Sequence, residues 1–450
     1  LEVSPLNSHC DVDSKAYLEK AELLYESGSF APTPAYQQFP YYTLGYPTFI
    51  ALIYKIFGKS VNWIILIQVL LTLLSALLIF ITARRLFNEL VGLIAFALTC
   101  TNVGFLTFSQ FILTESILAL FLILFFERFT AYLYNIGKLN ETARGELVEP
   151  SPAGRRAAHK NLIFSALALG VSVIIKPAAL YFPIFLFPLI LHKTKSIKPA
   201  ALFLLLFFSP IFLYMMHNKA VFDQFKIANL ESTNTYFWFY PNVLAEKYGS
   251  TSDIERLKLQ VLSGVNNSNI QAVKDLFWQD LKQNPFLFIY IWLKNVAKTF
   301  GGLFTTNLKV LVEPTVHGGD ISFFKLKGTF WEKAWLYIEA GATSNWVRTV
   351  GLYETMWSGL RYILCFLALL MILGYRRYNL LYLVTTYIFY FSIITGHDGC
   401  ARFRMMFEFV LIILAAYGLW ILLANKESIK HDSDILCNPC GGKRATTVAS

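Results

Sequence analysis

Two aspartates one residue apart, Asp11 and Asp13, stand in the polar segment Cys10-Asp11-Val12-Asp13-Ser14-Lys15-Ala16-Tyr17, just ahead of a long series of apolar runs. A carboxylate so placed can take the proton from an attacking hydroxyl, which is the work of a general base. The cations that would complement such acids lie far along the chain. Lys176 precedes Pro177 between two apolar runs, and His397, Asp398, Arg402 and Arg404 crowd one short segment near the other end. Glu115, in Leu113-Thr114-Glu115-Ser116, opens another apolar run. A charge well inside a membrane helix costs roughly 2.5–3.5 kcal/mol on insertion scales, so Glu115 and Lys176 need partners or water. Brought together, these acids and bases would make an anionic-ligand site with a general base beside it.

Each residue also has a plainer reading. Asp13 can cap the helix suggested by Ser14–Ser27. Glu115 suits the positive end of a helix dipole, Lys176 can snorkel to lipid head groups, and Arg402 and Arg404 can be interfacial anchors. Sidedness separates the two views, because independent plain roles do not require all of these residues on one face.

The elements that must position them are membrane helices. Of 450 residues, 56% are hydrophobic and only 15% charged, with a mean hydropathy of +0.50. That balance defines an all-α polytopic membrane protein. Spans are expected over 61–83, 90–107, 111–134, 161–176, 178–192, 199–216, 357–374, 378–395 and 405–424, since a bilayer requires roughly 20 apolar residues, or fewer where neighbours bury the ends. Strong bases gather in alternate links: Arg84 and Arg85; Lys138, Arg144, Arg155, Arg156 and Lys160; Lys193, Lys195 and Lys198; Arg376 and Arg377. These links are assigned to the cytoplasm. The net charge of +10 needs no nucleic acid to explain it, since the bases are spread through these links.

The organisation that follows is a first outer loop over 1–60, spans over 61–216, an outer region over 217–356, spans over 357–424 and a cytoplasmic tail over 425–450. Segments 46–58 and 286–304 are read as amphipathic helices on the outer leaflet. The stretch 143–150 differs in composition from its surroundings and resembles a translated repeat insertion, about 140–158, tolerated in a cytoplasmic loop. The topology puts Cys10 and Cys400 on one side, so it permits a disulfide, and the lone Cys437-Asn438-Pro439-Cys440 lacks the second pair that a metal site of this type uses. The sequence opens inside a polar loop without a Met, and a further helix is expected ahead of Leu1.

The residues resemble a known family. Asp13-Ser14-x-x-Tyr17-Leu18-x-x-Ala21-x-x-Leu24, Gly28-Ser29-Phe30 and Gly45-Tyr46-Pro47 with Ala51-Leu52-Ile53-Tyr54 are similar to the first outer loop of GT-C glycosyltransferases. The nearest group is the dolichyl-phosphate-mannose–protein mannosyltransferase-like one, glycosyltransferase family 39, with its bacterial relatives. Gln68, Ala83-Arg84-Arg85-Leu86-Phe87, Leu113-Thr114-Glu115-Ser116, Lys176-Pro177 and Ala401-Arg402-Phe403-Arg404 extend the likeness. Lys176 stands where those proteins often carry Arg. The resemblance implies a GT-C-like helical bundle in the cell (plasma or inner) membrane. It also implies inverting transfer of a sugar from a polyprenyl-phosphate donor to a lipid, glycan or protein acceptor at the outer face. Asp13, or failing it Asp11, would be the base, and Glu115 would sit beside the acceptor or orient the base. Lys176, Arg402 and Arg404 would stabilise the leaving phosphate. No ligand cluster in the sequence requires a divalent metal. The competing readings are a transporter or lipid flippase, which would show charges at mid-bilayer and internal repeats, and a membrane scaffold binding partners through 217–356.

Overall fold

The computed structural model describes residues 12–31, 42–145, 152–229, 234–264, 269–312, 323, 326–340 and 344–424. Among them there are helices and turns and no strands. Asp11, Cys10, the 146–150 part of the insertion and the Cys437–Cys440 pair lie outside the described residues.

In chain order the helices are α1 Val12–Ser27, α2 Gly45–Phe57, α3 Val61–Leu86, α4 Glu89–Cys100, α5 Val103–Gln110, α6 Glu115–Gly145, α7 Pro152–Ile175, α8 Pro183–Thr194 and α9 Ile197–Phe222. After a π-helical turn, Asn234–Phe239, come α10 Tyr240–Tyr248, α11 Ser252–Ser263, α12 Ile270–Gln283, α13 Pro285–Gly301, α14 Thr305–Val312 and α15 Phe330–Glu339. The chain returns to the bilayer in α16 Asn345–Gly374, α17 Tyr378–Ile394 and α18 Glu408–Leu423, with a short helical turn, Ala401–Arg404, before the last. Among the described residues six helices are long and apolar enough to span, and α4 with α5 adds a seventh if the bent pair is one span.

The boundaries differ from the sequence expectation where local chemistry intervenes. The expected span 90–107 is broken by a 48° bend, because Asn102 starts a new helix by accepting from the Phe105 N–H. The expected span 178–192 begins with a 3₁₀ turn, Pro177–Ala179, and becomes helical only at Pro183. The expected span 357–374 is the end of a longer helix that starts at Asn345, so the outer region gives up its last residues to it. Asp13 lies within the first turn of α1 rather than before it.

The central elements are those without a polar face. α18 is buried from Glu408 through Gly418, as expected for a helix apolar all round. In α6 78% of the span is buried, against 22% in α9 and 28% in α16, which present their outer faces to lipid. The backbones of α16 and α18 touch at Gly418, where a Cβ would lie 2.2 Å from the Leu364 carbonyl oxygen. Gly418→Ala is expected to cost about 1–3 kcal/mol through overpacking and to lower the thermal unfolding midpoint of the detergent-purified protein.

The two ends of the bundle differ in their contacts. Arg377 donates to the Leu86 carbonyl at 2.8 Å, joining two of the basic links. Nearby, Arg85 and Arg128 clamp Glu127 at 2.6 and 2.8 Å. The other end of the bundle carries a helical cap over 234–301, whose own core includes Tyr240, Phe277, Phe288 and Ile291. Buried Asp280 fastens it, accepting from the Tyr240 hydroxyl at 2.6 Å and pairing with Lys247 at 2.8 Å. One face of α13 is apolar and exposed, with Phe286, Ile289, Tyr290 and Leu293. The opposite face braces the end of α17 and the chain after it, where Trp292 Nε1 donates to the Ile393 carbonyl and Asn295 Nδ2 to that of Gly396.

Candidate active site

Four of the residues singled out in the sequence meet at the capped end of the bundle. Asp13 comes from α1, which packs against α2 through Tyr17, Leu18 and Ala21. The strand of chain ahead of α2 is fixed to the end of α7. Thr43 Oγ1 donates to the Ile175 carbonyl at 2.6 Å, and the Leu44 N–H donates to the Tyr214 hydroxyl at 2.9 Å. At Gly45 a Cβ would sit 2.6 Å from the Ile174 carbonyl oxygen, so only glycine allows this approach. The motif Thr43-Leu44-Gly45-Tyr46-Pro47 therefore docks the start of α2 beside the end of α7 that carries Lys176.

Lys176 itself is extended, at φ −154° and ψ 124°, as a residue before proline must be. The helix ends there and its side chain turns aside. Glu115 begins α6. The turn before it is held by Gln68, whose Nε2 donates to the carbonyls of Ser109 and Phe111 at 3.1 and 2.8 Å, while the Tyr46 hydroxyl donates to Gln68 Oε1.

Arg402 joins these pieces. Its Nε donates to Glu115 Oε1 at 2.6 Å and its Nη1 to Asp13 Oδ2 at 2.9 Å. Lys176 Nζ reaches the same Glu115 oxygen at 3.2 Å and lies 4.8 Å over the Phe403 ring. The Tyr42 hydroxyl donates to the second Asp13 oxygen at 2.7 Å. Burial works against the Arg402 charge, but Glu115 and Asp13 outweigh it and hold the guanidinium above its ordinary pKa. Burial also pushes the Tyr17 hydroxyl well up, with Arg402 pulling it the other way, so this ring is a neutral wall. The two acids are not equivalent: the Asp13 side chain is 26% exposed and that of Glu115 only 2%. Asp13 is partly open to solvent, whereas Glu115 is sealed between two cations.

Arg404 does not join this group. Residues two apart on a helical turn do not face the same way, and Arg404 points into the bundle. Its Nε pairs with Glu408 at 2.8 Å, and its Nη1 donates to the carbonyls of Phe300 and Gly302 at 2.9 and 2.6 Å. Glu408 also pairs with Arg361 and accepts from Asn102 Nδ2 at 2.8 Å. Glu354 completes the set, 3.8 Å from Arg404 and accepting from the N–H groups of Phe304 and Thr305 at 2.7 Å each. Of this second cluster, fully enclosed, only Arg404 was among the sequence candidates. Its signal was there: Arg361 and Glu408 are charges inside apolar runs. Tyr42 was missed too, since a tyrosine at the edge of an apolar run reads as an interfacial residue. Of the last outer segment, His397 turns Nδ1 to the Ile394 carbonyl and its ring to Phe403. Among the described residues no three His, Cys, Asp or Glu side chains converge as metal ligands would.

The family model described as dolichyl-phosphate-mannose-protein mannosyltransferase matches residues 42–133. That stretch holds the docked loop, Gln68 and Glu115, and the match is consistent with the GT-C glycosyltransferase superfamily that the motifs resemble. No curated protein matches the chain. Among solved structures, the chain is similar to the oligosaccharyltransferase AglB of Archaeoglobus fulgidus in complex with an inhibitory peptide and a dolichol-phosphate. The identity is 12%, with coverage of 96% of this chain and 48% of that one and a TM-score of 0.48. It is also similar to ArnT of Cupriavidus metallidurans bound to undecaprenyl phosphate, at 13% identity, 92% and 75% coverage and a TM-score of 0.37. The chain thus spans about half the length of the archaeal enzyme. Likenesses this distant say nothing about activity, which has to be read from the residues themselves.

Proposed function

We propose that this multi-pass protein of the plasma or inner membrane transfers a sugar from a polyprenyl-phosphate donor to an acceptor hydroxyl at the outer face, with inversion. The observation that carries the reading is Arg402, which bridges Asp13 and Glu115 beside Lys176 at one end of the bundle. The family match over 42–133 supports the choice of a lipid-phosphate sugar as donor.

The chemistry follows from the charges. A departing polyprenyl phosphate is a weak base that gains negative charge, so it needs cations rather than a general acid. Arg402 and Lys176 supply them. Arg404, which the sequence grouped with these two, would act on the phosphate only indirectly, by holding the chain that carries Arg402. As a phosphate engages Arg402, the guanidinium must give up part of its hold on Asp13, freeing a carboxylate oxygen for the acceptor proton. Glu115 keeps both cations aimed. Asp11, two residues before Asp13, is the alternative base. Lys176 meets phosphate as a point charge where an arginine would grip it with a fork.

The test uses membranes containing the protein, a radiolabelled polyprenyl-phosphate sugar and cell extract. Label should pass from the carrier to acceptor material, and Arg402→Gln should remove that transfer with the protein still present in the membrane. Undiminished transfer by R402Q would refute the site. No transfer by the wild type, together with movement of ions or lipid across vesicles, would favour a transporter.

A further inference from the structure

Outside the site, the most unusual surface is α15. Trp331 and Trp335 are 79% and 65% exposed and, four residues apart, share one face, with Leu336 alongside them. This is no loose segment. Thr329 and Glu332 form a capping box at its start. On its inner side Tyr337 is buried, its hydroxyl 2.9 Å from Thr306 Oγ1, and Lys309 lies over the Tyr337 ring while donating to the carbonyls of Tyr337 and Ala340. Glu339 pairs with Arg348 in the first turns of α16 at 3.2 Å. Both tryptophans are thus exposed on a docked helix.

The height of this face follows from α16. That helix has 30 residues and is about 45 Å long at 1.5 Å per residue. A bilayer measures about 30 Å across its hydrocarbon and about 40–45 Å with head groups. With the Gly374 end beside the basic Arg376 and Arg377, the Asn345 end reaches the outer head-group layer. Trp346, exposed, stands there in the same seven-residue column as Tyr353 and Leu360, which are also exposed. The Glu339–Arg348 pair fixes α15 at that level. Tryptophan is the residue most favoured where an apolar body must sit among head groups.

We propose that α15 is an anchor lying in the head-group layer of the outer leaflet, with Trp331, Trp335 and Leu336 turned into lipid as a continuation of the lipid-facing stripe of α16. Its occupant is the bilayer itself. Through Tyr337 it ties that surface to α14, whose first residue, Thr305, donates to the Glu354 carboxylate beside Arg404. This inference does not depend on sugar transfer.

The test is fluorescence of the full chain in lipid nanodiscs, one chain per disc, with and without bromine atoms on the acyl chains near the head groups. Bromine quenches only tryptophans that touch lipid. Subtracting the emission of W331F/W335F from that of the wild type isolates these two residues among nine tryptophans. The isolated emission should fall several-fold in brominated discs. Equal emission in both discs would overturn the proposal, whether the face is wet or covered by another protein. Phenylalanine keeps the face apolar, and the single variants W331F and W335F provide the same readout separately if the pair fails to fold.

Discussion

Membranes carrying Asp13→Asn should transfer sugar about 10²–10⁴-fold more slowly than wild type, the usual loss when a general base is removed. The substitution is chosen because it leaves the geometry standing. The asparagine oxygen can still accept from the Tyr42 hydroxyl or from Arg402, which hold Asp13 at 2.7 and 2.9 Å. What is lost is the capacity to take a proton. The deficit should therefore appear in the turnover rate at saturating donor, with the thermal unfolding midpoint little changed. Glu115→Gln is the informative contrast. That carboxylate is sealed and serves both Arg402 and Lys176, so neutralising it leaves two cations with one acid between them. Its variant should lose stability and donor affinity as well as rate. Wild-type turnover by D13N would pass the role to Asp11, and full activity in the double variant D11N/D13N would end the carboxylate-base mechanism.

Parts of this arrangement were legible in the sequence because charge in a membrane protein is costly and therefore placed. Alternating basic links fixed the two ends of the bundle, and the contact of Arg377 with Leu86 joins two of those links. Asp13 and Arg402 are 389 positions apart, yet the apolar runs and the basic links between them lead one to expect both on one side. What could not be read was direction. Arg402 and Arg404 look alike on paper, but a helical turn sends one to Asp13 and the other to Glu408. The docking of Thr43 and Gly45 on the end of α7 depends on a backbone approach that no periodicity reports. The cap was legible only at 286–304, read as an amphipathic helix and found as α13. Its amphipathic helices close on Phe277 and Tyr240 through long-range packing, and neither a repeat nor a motif marks it.

The enclosed charge cluster leads to the second large effect, Glu408→Leu. Glu408 accepts from Arg361, Arg404 and Asn102 at once, and the other acid of the cluster among the described residues, Glu354, lies 3.8 Å from Arg404. Removing one partner of a buried pair typically costs about 3–5 kcal/mol, because the stranded charge keeps its desolvation penalty. Against a total stability of roughly 5–15 kcal/mol, E408L should sharply lower both the yield of folded protein and its unfolding midpoint in detergent. The double variant R361M/E408L separates charge from packing. It removes a cation with the acid and leaves Arg404 to Glu354, and replacing a buried ion pair by apolar groups is often neutral. Recovery of the midpoint in the double variant is therefore expected, and its failure would mean that the shape of Glu408, not its charge, is what the bundle requires. Transfer should recover less than stability does. Arg404 would retain the carbonyls of Phe300 and Gly302 but lose the acid that fixes its Nε, and the turn that presents Arg402 to Asp13 would be held less firmly.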